Sequence, residues 1–270
     1  MKAIKSALRQ ANTSDFVYQA PIAAQNARKI LVKPNLGYPV RPPVTVSMTV
    51  LKQVLIGLRK ASPDAEILIV EGVCSSVSLS EIASRNGLYQ ILDRGMELLD
   101  ADTLTLKEYP NLSPNPVRYQ SMFAPAILTE VDCRITVGAL KRTNLKGEPL
   151  ISASLKNLYG LFPRARYRAR SPHSRGQLHR PSVPLILQDI YFCIGHLFDG
   201  AVVDGDRKFV SPDWKPDRGQ SIDLGKVFWG EDPLAVDREA CIVANEAIPS
   251  YLDAIEKLRT QKTENIATEL

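Results

Sequence analysis

Two apolar stretches, Lys29-Ile30-Leu31-Val32-Lys33 and Ala65-Glu66-Ile67-Leu68-Ile69-Val70, flank a region of helical periodicity. Continuous runs of branched apolar residues of this length are typical of strands that are buried on both faces. Between them, apolar residues recur at helical spacing from Met48 to Leu58, and Thr45 or Ser47 can cap the start of this helix. Strand, helix and strand joined by short connections predict a βαβ unit with a right-handed crossover.

The alternation of strands and helices continues along the chain. Further buried strands are predicted over residues 134–137 and 201–205, and another strand over 225–229. Helices are predicted over 78–86, 151–161, 185–197, 232–245 and 248–259. Gly87 is expected to end the first of these helices in the left-handed conformation. Short strand-like pieces over 97–125 predict an antiparallel excursion. The expected fold class is therefore α/β, with a doubly wound, mostly parallel sheet, helices on both faces and a small antiparallel insertion.

Length and composition fit a single folded domain. The chain has 270 residues, of which 44% are hydrophobic and 23% charged, and such a chain can bury a substantial core. We expect an N-terminal extension over 1–28, one α/β domain over 29–260 and a polar tail over 261–270. No apolar run approaches the roughly 20 residues that cross a bilayer, and the charged start is not followed by the apolar core of a secretory signal. No membrane partner is expected.

The cysteines give no indication of a metal centre. Cys74, Cys133, Cys193 and Cys241 are scattered through the sequence, each in a largely apolar neighbourhood. No pair has the close spacing of a zinc or iron–sulfur site. We expect buried, reduced thiols in a cytoplasmic protein. The sequence gives no indication of the oligomeric state.

The positive charge of the chain is concentrated in one window. Residues 149–188 contain no aspartate or glutamate and carry a charge of +7, whereas the whole chain carries only +5. Local basicity of this kind indicates an anionic partner. Within the window, residues 163–183 are predicted to be a long basic loop. Long loops of this kind are usually functional lids or disordered, and we expect a mobile lid that closes when an anion neutralises its arginines.

Polar residues follow four of the predicted strands. Lys33 and Asn35 follow the first strand, Glu71 the second, Lys141 the third and Asp204 the fourth. In open α/β sheets, ligands bind beyond the carboxyl ends of the strands, so we expect these side chains to share one site. Each also has a structural interpretation: Lys33 as the exposed end of a strand, Asn35 as a turn residue, and Asp204 as part of an Asp-Gly turn.

Lys156 is the strongest functional candidate. Leu155, Leu158 and Leu161 are expected to bury its helix, and a lysine held against apolar surface must find an anion or lose its proton. For Asp232 the structural alternative is a helix cap, and for Asp237 it is a solvated helix face.

Several motifs resemble those of a known family. They are Lys33-Pro34-Asn35, Leu140-Lys141, Leu155-Lys156-Asn157-Leu158-Tyr159-Gly160, His173, and Gly230-Glu231-Asp232-Pro233-Leu234-Ala235-Val236-Asp237. In this order they are similar to the domain-of-unknown-function 362 family, and the resemblance extends from about residue 29 to 244. It implies a fold and motif positions but no reaction.

The chain also departs from this family pattern. Many relatives carry appended ferredoxin-type cysteine clusters; this chain has none, so an iron–sulfur cluster is not expected. Where relatives commonly have Lys-Thr-His, this chain has Lys141-Arg142-Thr143-Asn144. It therefore lacks one imidazole that could serve as a ligand or a base. The Gly-Pro that often precedes the last strand is replaced by Arg218-Gly219.

The leading hypothesis is an enzyme, or an enzyme-like binder, for a small anionic metabolite that carries a carboxylate or phosphate. Proton transfer is assigned to His173, Asp204 or Lys156. The residues expected to hold and orient the anion are Lys33, Asn35, Lys141, Asn157, Arg166, Arg168 and His179.

Two alternatives remain open. The first is a nucleic-acid binder that uses the basic loop over 164–180, although the loop offers only Tyr167 as an aromatic platform and no recognition helix. The second is a metal site built on Glu71, Asp204 and Asp232 with a histidine. Its hard oxygen ligands would favour magnesium or manganese over zinc.

Overall fold

Ten strands form two sheets in the computed structural model, which describes residues 8–145, 147–213, 215 and 218–268. The strands are β1 Arg9–Asn12, β2 Lys29–Pro34, β3 Glu66–Glu71, β4 Met96–Asp100, β5 Leu106–Pro110, β6 Ser121–Pro125, β7 Cys133–Leu145, β8 Glu148–Ser152, β9 Gly200–Val210 and β10 Gln220–Gly230. The α-helices are α1 Met48–Ala61, α2 Leu79–Asn86, α3 Ser154–Asn157, α4 Arg164–Tyr167, α5 Val183–Cys193, α6 Pro233–Val243 and α7 Ser250–Thr268.

The main sheet has a parallel centre with antiparallel additions. Its strand order is β1-β10-β9-β7-β2-β3-β4, and β8 pairs with β7. The pairs among β9, β7, β2, β3 and β4 are parallel. Strand β10 is antiparallel to both β9 and β1, and β8 is antiparallel to β7. Strands β5 and β6 form a separate antiparallel ribbon. The predicted α/β fold is confirmed.

Helices cover both faces of the sheet. Successive strand residues point to opposite sides, so a continuous apolar strand has two apolar faces to bury. Ile30 and Val32 pack in the cluster that contains the apolar face of α1, whereas Leu31 packs in the cluster that contains α5. All three side chains are fully buried. Gly87 ends α2 in the left-handed conformation, as predicted.

The strands around the site are longer than the sequence indicates. Strand β7 continues past its buried part to Leu145, and β9 continues past Asp204 to Val210. Both extensions are hydrogen-bonded to neighbours, β7 to β8 and β9 to β10, so they extend as paired ribbons beyond the parallel centre. Asp204 therefore lies within a strand. The prediction of an Asp-Gly turn at this position is wrong.

The helix predicted over 151–161 is wrong in its first part. Ile151 and Ser152 belong to β8, where they lie opposite Arg142 and Lys141 of β7. Only the four residues of α3 and a following 3-10 turn, Leu158–Leu161, are helical. Short apolar runs fit either a buried strand or a buried helix, and pairing with β7 determines the outcome here.

The two ends of the predicted domain contribute to the same sheet and core. The stretch 9–28, expected as an extension, supplies β1 at the edge of the sheet and the buried side chains of Phe16 and Tyr18. Residues 97–100, expected within the antiparallel segment over 97–125, belong instead to β4, which pairs parallel to β3. Residues 1–7 and 269–270 lie outside the described part of the chain. No helix among the described residues is long and apolar enough to cross a bilayer.

Candidate functional site

A cleft with a volume of about 340 Å³ lies where β2 and β3 end and α3 begins. It is lined by residues from five separate parts of the chain. They are Lys33, Asn35, Gly37, Tyr38, Glu71, Gly72, Cys74, Lys141, Ser152, Ala153, Lys156, Asn157, Tyr159, Gly160, Ser171, His173, Ser174, Arg175 and His179. Its position beyond the carboxyl ends of parallel strands is the usual ligand position in open α/β sheets.

An ion pair forms the floor of the cleft. The Lys33 ammonium lies 2.5 Å from Oε1 of Glu71, and both side chains are almost fully buried. The other carboxylate oxygen of Glu71 accepts a hydrogen bond of 2.7 Å from the backbone N–H of Leu36. Burial lowers the pKa of Lys33, and the carboxylate of Glu71 opposes that effect. Glu71 thus compensates the charge of Lys33 and fixes the turn after β2.

A chain of two amides connects this floor to Lys141. Asn157 donates to the backbone oxygen of Lys33 at 2.8 Å, and its own oxygen accepts from Lys33 and from Asn35. The oxygen of Asn35 in turn accepts from the Lys141 ammonium at 2.9 Å, and the backbone oxygen of Val44 accepts from the same ammonium at 2.8 Å. The two asparagines are therefore engaged with the protein, and their effect is to position the lysines.

Lys156 differs from the other two cleft lysines in its surroundings. Its ammonium lies 4.2 Å from the centre of the Tyr159 ring, a cation–π contact. No carboxylate or hydrogen-bond acceptor among the described residues partners this ammonium. The ring of Tyr159 also stacks on His179, with ring centres 5.9 Å apart. The cleft thus holds a positive charge that the described part of the protein does not neutralise.

Two lysines in the cleft have pKa values close to neutrality. Burial lowers the pKa of Lys156 to about 8. Burial also lowers the pKa of Lys141 to about 7, and the positive charge of Lys156 adds to the effect. Both groups can therefore exchange protons near pH 7 to 8, and an anion between them would favour their charged forms.

The segment 163–183 covers one side of the cleft and is anchored to the core. It contains α4 and a 3-10 turn over Gly176–His179, and Tyr167, Arg175 and Leu178 are buried. The Arg175 guanidinium donates to the backbone oxygens of Val73, at 3.0 Å, and Gly160, at 3.2 Å. This differs from the loop without secondary structure that the sequence indicates, because its apolar residues and Arg175 find buried partners.

Two arginines of the basic window share one acidic partner. The backbone and side chain of Arg164 donate to Asp102 at 2.7 and 2.5 Å, and Arg175 lies 3.6 Å from the same carboxylate. These two charges therefore serve the fold. Arg166 is exposed and stacks on Phe123 at 3.6 Å.

Two structural requirements at the cleft were missed by sequence reasoning. Asp237, expected on a solvated helix face, is buried and accepts hydrogen bonds from the N–H groups of Ser154 and Leu155 at 2.8 and 3.0 Å. Burial raises its pKa to about 6. It holds the start of α3, which carries Lys156. At Gly160, a Cβ atom would collide with Glu71 and approach the Lys33 ammonium to 2.8 Å, so the motif needs glycine there.

The structure places most of the predicted site residues around the one cleft, and four outside its lining. Lys33, Asn35, Glu71, Lys141, Lys156, Asn157, His173 and His179 line the cleft. His173 is exposed at its rim. Asp204, Asp232, Arg166 and Arg168 do not line it.

The two acids outside the cleft have structural roles. Asp204 accepts from the N–H groups of Ser47 and Asp206, at 2.8 and 3.1 Å, next to the start of α1. Asp232 caps α6 through a hydrogen bond of 3.0 Å from the N–H of Leu234, and it pairs with Arg259 at 2.8 Å. The expectation of a helix cap at Asp232 is confirmed.

Among the residues that the structure describes, the ligands of the metal alternative are not brought together. Within the described ranges, no group of three or more histidine, cysteine, aspartate or glutamate side chains is arranged to hold a metal ion. Glu71 is occupied by Lys33 and backbone N–H groups, and Asp204 and Asp232 by backbone N–H groups at helix starts.

One solved structure of similar fold is the lactate racemase apoprotein from Thermoanaerobacterium thermosaccharolyticum. The superposition has a TM-score of 0.52 at 13% sequence identity and covers 85% of this chain and 52% of the racemase chain. This chain therefore corresponds to about half of the racemase, and the likeness extends to the fold alone. No curated protein matches the chain in sequence.

The family match agrees with the motifs that surround the cleft. The model described as Domain of unknown function (DUF362) matches residues 30–242. This range includes Lys33, Lys141 and Lys156, together with the aspartate that holds α3. Because the match covers most of the chain, the protein belongs to the DUF362 family.

Proposed function

We propose that the cleft binds a small anionic metabolite, with a carboxylate or phosphate held by Lys156 and Lys141. The observation that supports this most strongly is the Lys156 ammonium, which has no anionic or hydrogen-bonding partner among the described residues although it is partly buried. Burying an unpaired charge is costly, so a ligand that supplies the missing negative charge would be bound preferentially. Lys141 lies in the same cleft and adds a second positive group.

The rest of the cleft supports a prepared anion site. Lys141 is held by Asn35 and Val44, and Lys33 is held by Glu71. Lys141 is therefore fixed before a ligand arrives, which lowers the entropic cost of binding. The volume of about 340 Å³ suits a small molecule, since such sites typically span about 300–1,000 Å³.

The same groups give the cleft a capacity for proton transfer. Lysines with pKa values of about 7 and 8 exchange protons near pH 7, so the ammonium that holds the anion can also donate a proton to it. We assign this role to Lys156, with His173 at the rim as a second proton carrier. The lactate racemase of similar fold acts, by its name, on a small carboxylate, which agrees with the proposed ligand class.

The nucleic-acid alternative receives less support. Arg164 and Arg175 of the basic window are engaged with Asp102, which leaves fewer free charges than the sequence suggests. A polyanion held by several phosphates would show a steep salt dependence, whereas two lysines in a cleft would give a shallow one.

A thermal-shift panel of small carboxylates and phosphorylated metabolites tests the proposal. We expect stabilisation by some of these anions in the wild type and its loss in Lys156→Gln. The matched control is Lys52→Gln, which removes an exposed lysine on α1 outside the cleft lining. Equal responses of the two variants would contradict the proposal. Tight, strongly salt-dependent nucleic-acid binding that survives Lys156→Gln would favour the alternative.

A further inference from the structure

A second chamber continues from the anion cleft. Its volume is about 430 Å³, and it shares with the cleft the residues Tyr38, Lys141, Ser152, Lys156, Ser171, Ser174 and His179. The residues that it adds are mostly apolar: Val44, Thr143, Leu145, Leu150, Gly176 and Phe209. The two volumes therefore form one continuous space with a charged end and an apolar end.

The β7–β8 ribbon forms one wall of this space. Lys141, Thr143 and Leu145 alternate along β7 and share one face. In the paired strand, Ser152 lies opposite Lys141, and Leu150 lies opposite Thr143. The wall thus changes from an ammonium group to apolar side chains over four residues, a length of about 13 Å at about 3.3 Å per residue.

Two further apolar residues lie next to the charged end. Phe209 of β9 lies opposite Lys141 in the strand pairing, and its side chain is almost fully buried. Val44 accepts a hydrogen bond from the Lys141 ammonium through its backbone oxygen at 2.8 Å. The same residue lines the apolar chamber, so the charged end directly adjoins the apolar end.

We propose that the ligand of this cleft is an amphiphile: a carboxylate whose charged end lies at Lys156 and Lys141 and whose apolar chain fills the second chamber. This proposal rests on the proposed anion site and narrows its ligand class. A fully polar metabolite would leave the apolar walls in contact with water, whereas an apolar chain would bury them. Each methylene group that enters an apolar chamber is expected to raise affinity by about fourfold.

A series of straight-chain carboxylates tests the proposal. Affinities of acetate, butanoate, hexanoate, octanoate and decanoate are measured by calorimetric titration at constant ionic strength and below micelle formation. We expect affinity to rise with each added pair of methylene groups until the chamber is full. Octyl phosphate is compared with octanoate, so that the preferred head group is determined separately.

Variants at Thr143 locate the chain. Thr143→Trp should fill the chamber and flatten the rise of affinity with chain length, whereas Thr143→Ser, the matched control, should keep it. The side chain of Thr143 is partly exposed, and circular dichroism checks that both variants fold. An equally steep rise in Thr143→Trp would place the chain elsewhere and overturn the proposal.

The outcomes separate this proposal from the one on which it rests. Binding of acetate that depends on Lys156, with no gain from longer chains, would overturn the amphiphile proposal and leave the anion site standing. Binding that grows with chain length but is unaffected by Lys156→Gln would overturn both, because the charged end would not be held where we place it. Failure of every carboxylate and of octyl phosphate to bind would also overturn both.

Discussion

The three lysines that line the cleft have different surroundings in the structure. Lys33 forms an ion pair with Glu71, and Lys141 donates to Asn35 and to a backbone oxygen. Among the described residues, the Lys156 ammonium contacts only the aromatic ring of Tyr159. The sequence predicts that all three lie near the carboxyl edge of the sheet. It does not show which lysine has a counterion, because Glu71 is distant from Lys33 in the chain and ends a different strand.

The ammonium of Lys156, which has no anionic partner among the described residues, is expected to reduce stability. Its pKa is lowered to about 8, so below pH 8 the folded protein carries a charge that burial disfavours. We therefore expect Lys156→Met to raise the melting temperature at pH 6, where about 1 kcal/mol corresponds to about 2–4 °C. The gain should shrink as pH rises from 8 towards 10.5, because the unfolded chain then binds more protons than the folded one.

Differential scanning calorimetry of wild type and Lys156→Met at several pH values measures this effect. Lys52→Met, on the exposed face of α1, controls for the general effect of removing a surface lysine. A lower melting temperature for Lys156→Met at pH 6 would mean that the ammonium has a stabilising partner, and the interpretation of Lys156 as unpaired would be wrong.

Removing the carboxylate of the Lys33–Glu71 pair is expected to lower the stability of the protein, whereas Lys156→Met is expected to raise it. Glu71→Gln removes the carboxylate from a buried ammonium, and loss of one partner of a buried pair typically costs about 3–5 kcal/mol. Urea denaturation measures the cost. The double variant Lys33→Met/Glu71→Gln should be more stable than Glu71→Gln alone. Equal stability of these two variants would show that the cost does not come from the uncompensated lysine.

The site depends on one short helix and one long strand, and tertiary contacts determine where each of them begins or ends. Helix α3 has only four residues, and buried Asp237 of α6 fixes its start. Strand β7 continues to Leu145 because β8 folds back and pairs with it. Continuous apolar runs in the sequence predict β2, β3 and the buried part of β7. They do not predict partly exposed extensions, whose partners come from other parts of the chain.

The segment 163–183 combines buried anchoring residues with exposed arginines. Its anchors, Tyr167, Arg175 and Leu178, are buried, whereas Arg168 and Arg170 between them are exposed. Limited trypsin digestion should therefore cut first after Arg168 or Arg170 and spare Arg175. Ser171, His173 and Ser174 line the cleft, so octanoate or sulfate should slow the cut if this part closes over a bound anion. First cleavage after Arg175 would contradict the anchoring, and a rate unaffected by either anion would argue against a lid.

At the scale of the whole molecule, charge is distributed less simply than the sequence suggests. The net charge of +5 and the basic window indicate an anionic partner, but Asp102 engages two arginines of that window. Sequence reasoning could not find this pairing because Asp102 lies outside the window. It did predict the α/β fold, the position of the cleft and most of its polar lining, because these follow from where parallel strands end.

The proposed function depends on the Lys156 ammonium, which has no anionic partner in the described part of the chain and is proposed to receive an anion. Carbon-13 NMR of protein labelled at lysine Cε follows the titration of each lysine, and the Lys156 signal is assigned by its absence from Lys156→Arg. We expect a pKa of about 8 for Lys156 that rises when sulfate is added, because an anion stabilises the charged form. An ordinary pKa near 10.4, or a lowered one that sulfate leaves unchanged, would contradict it.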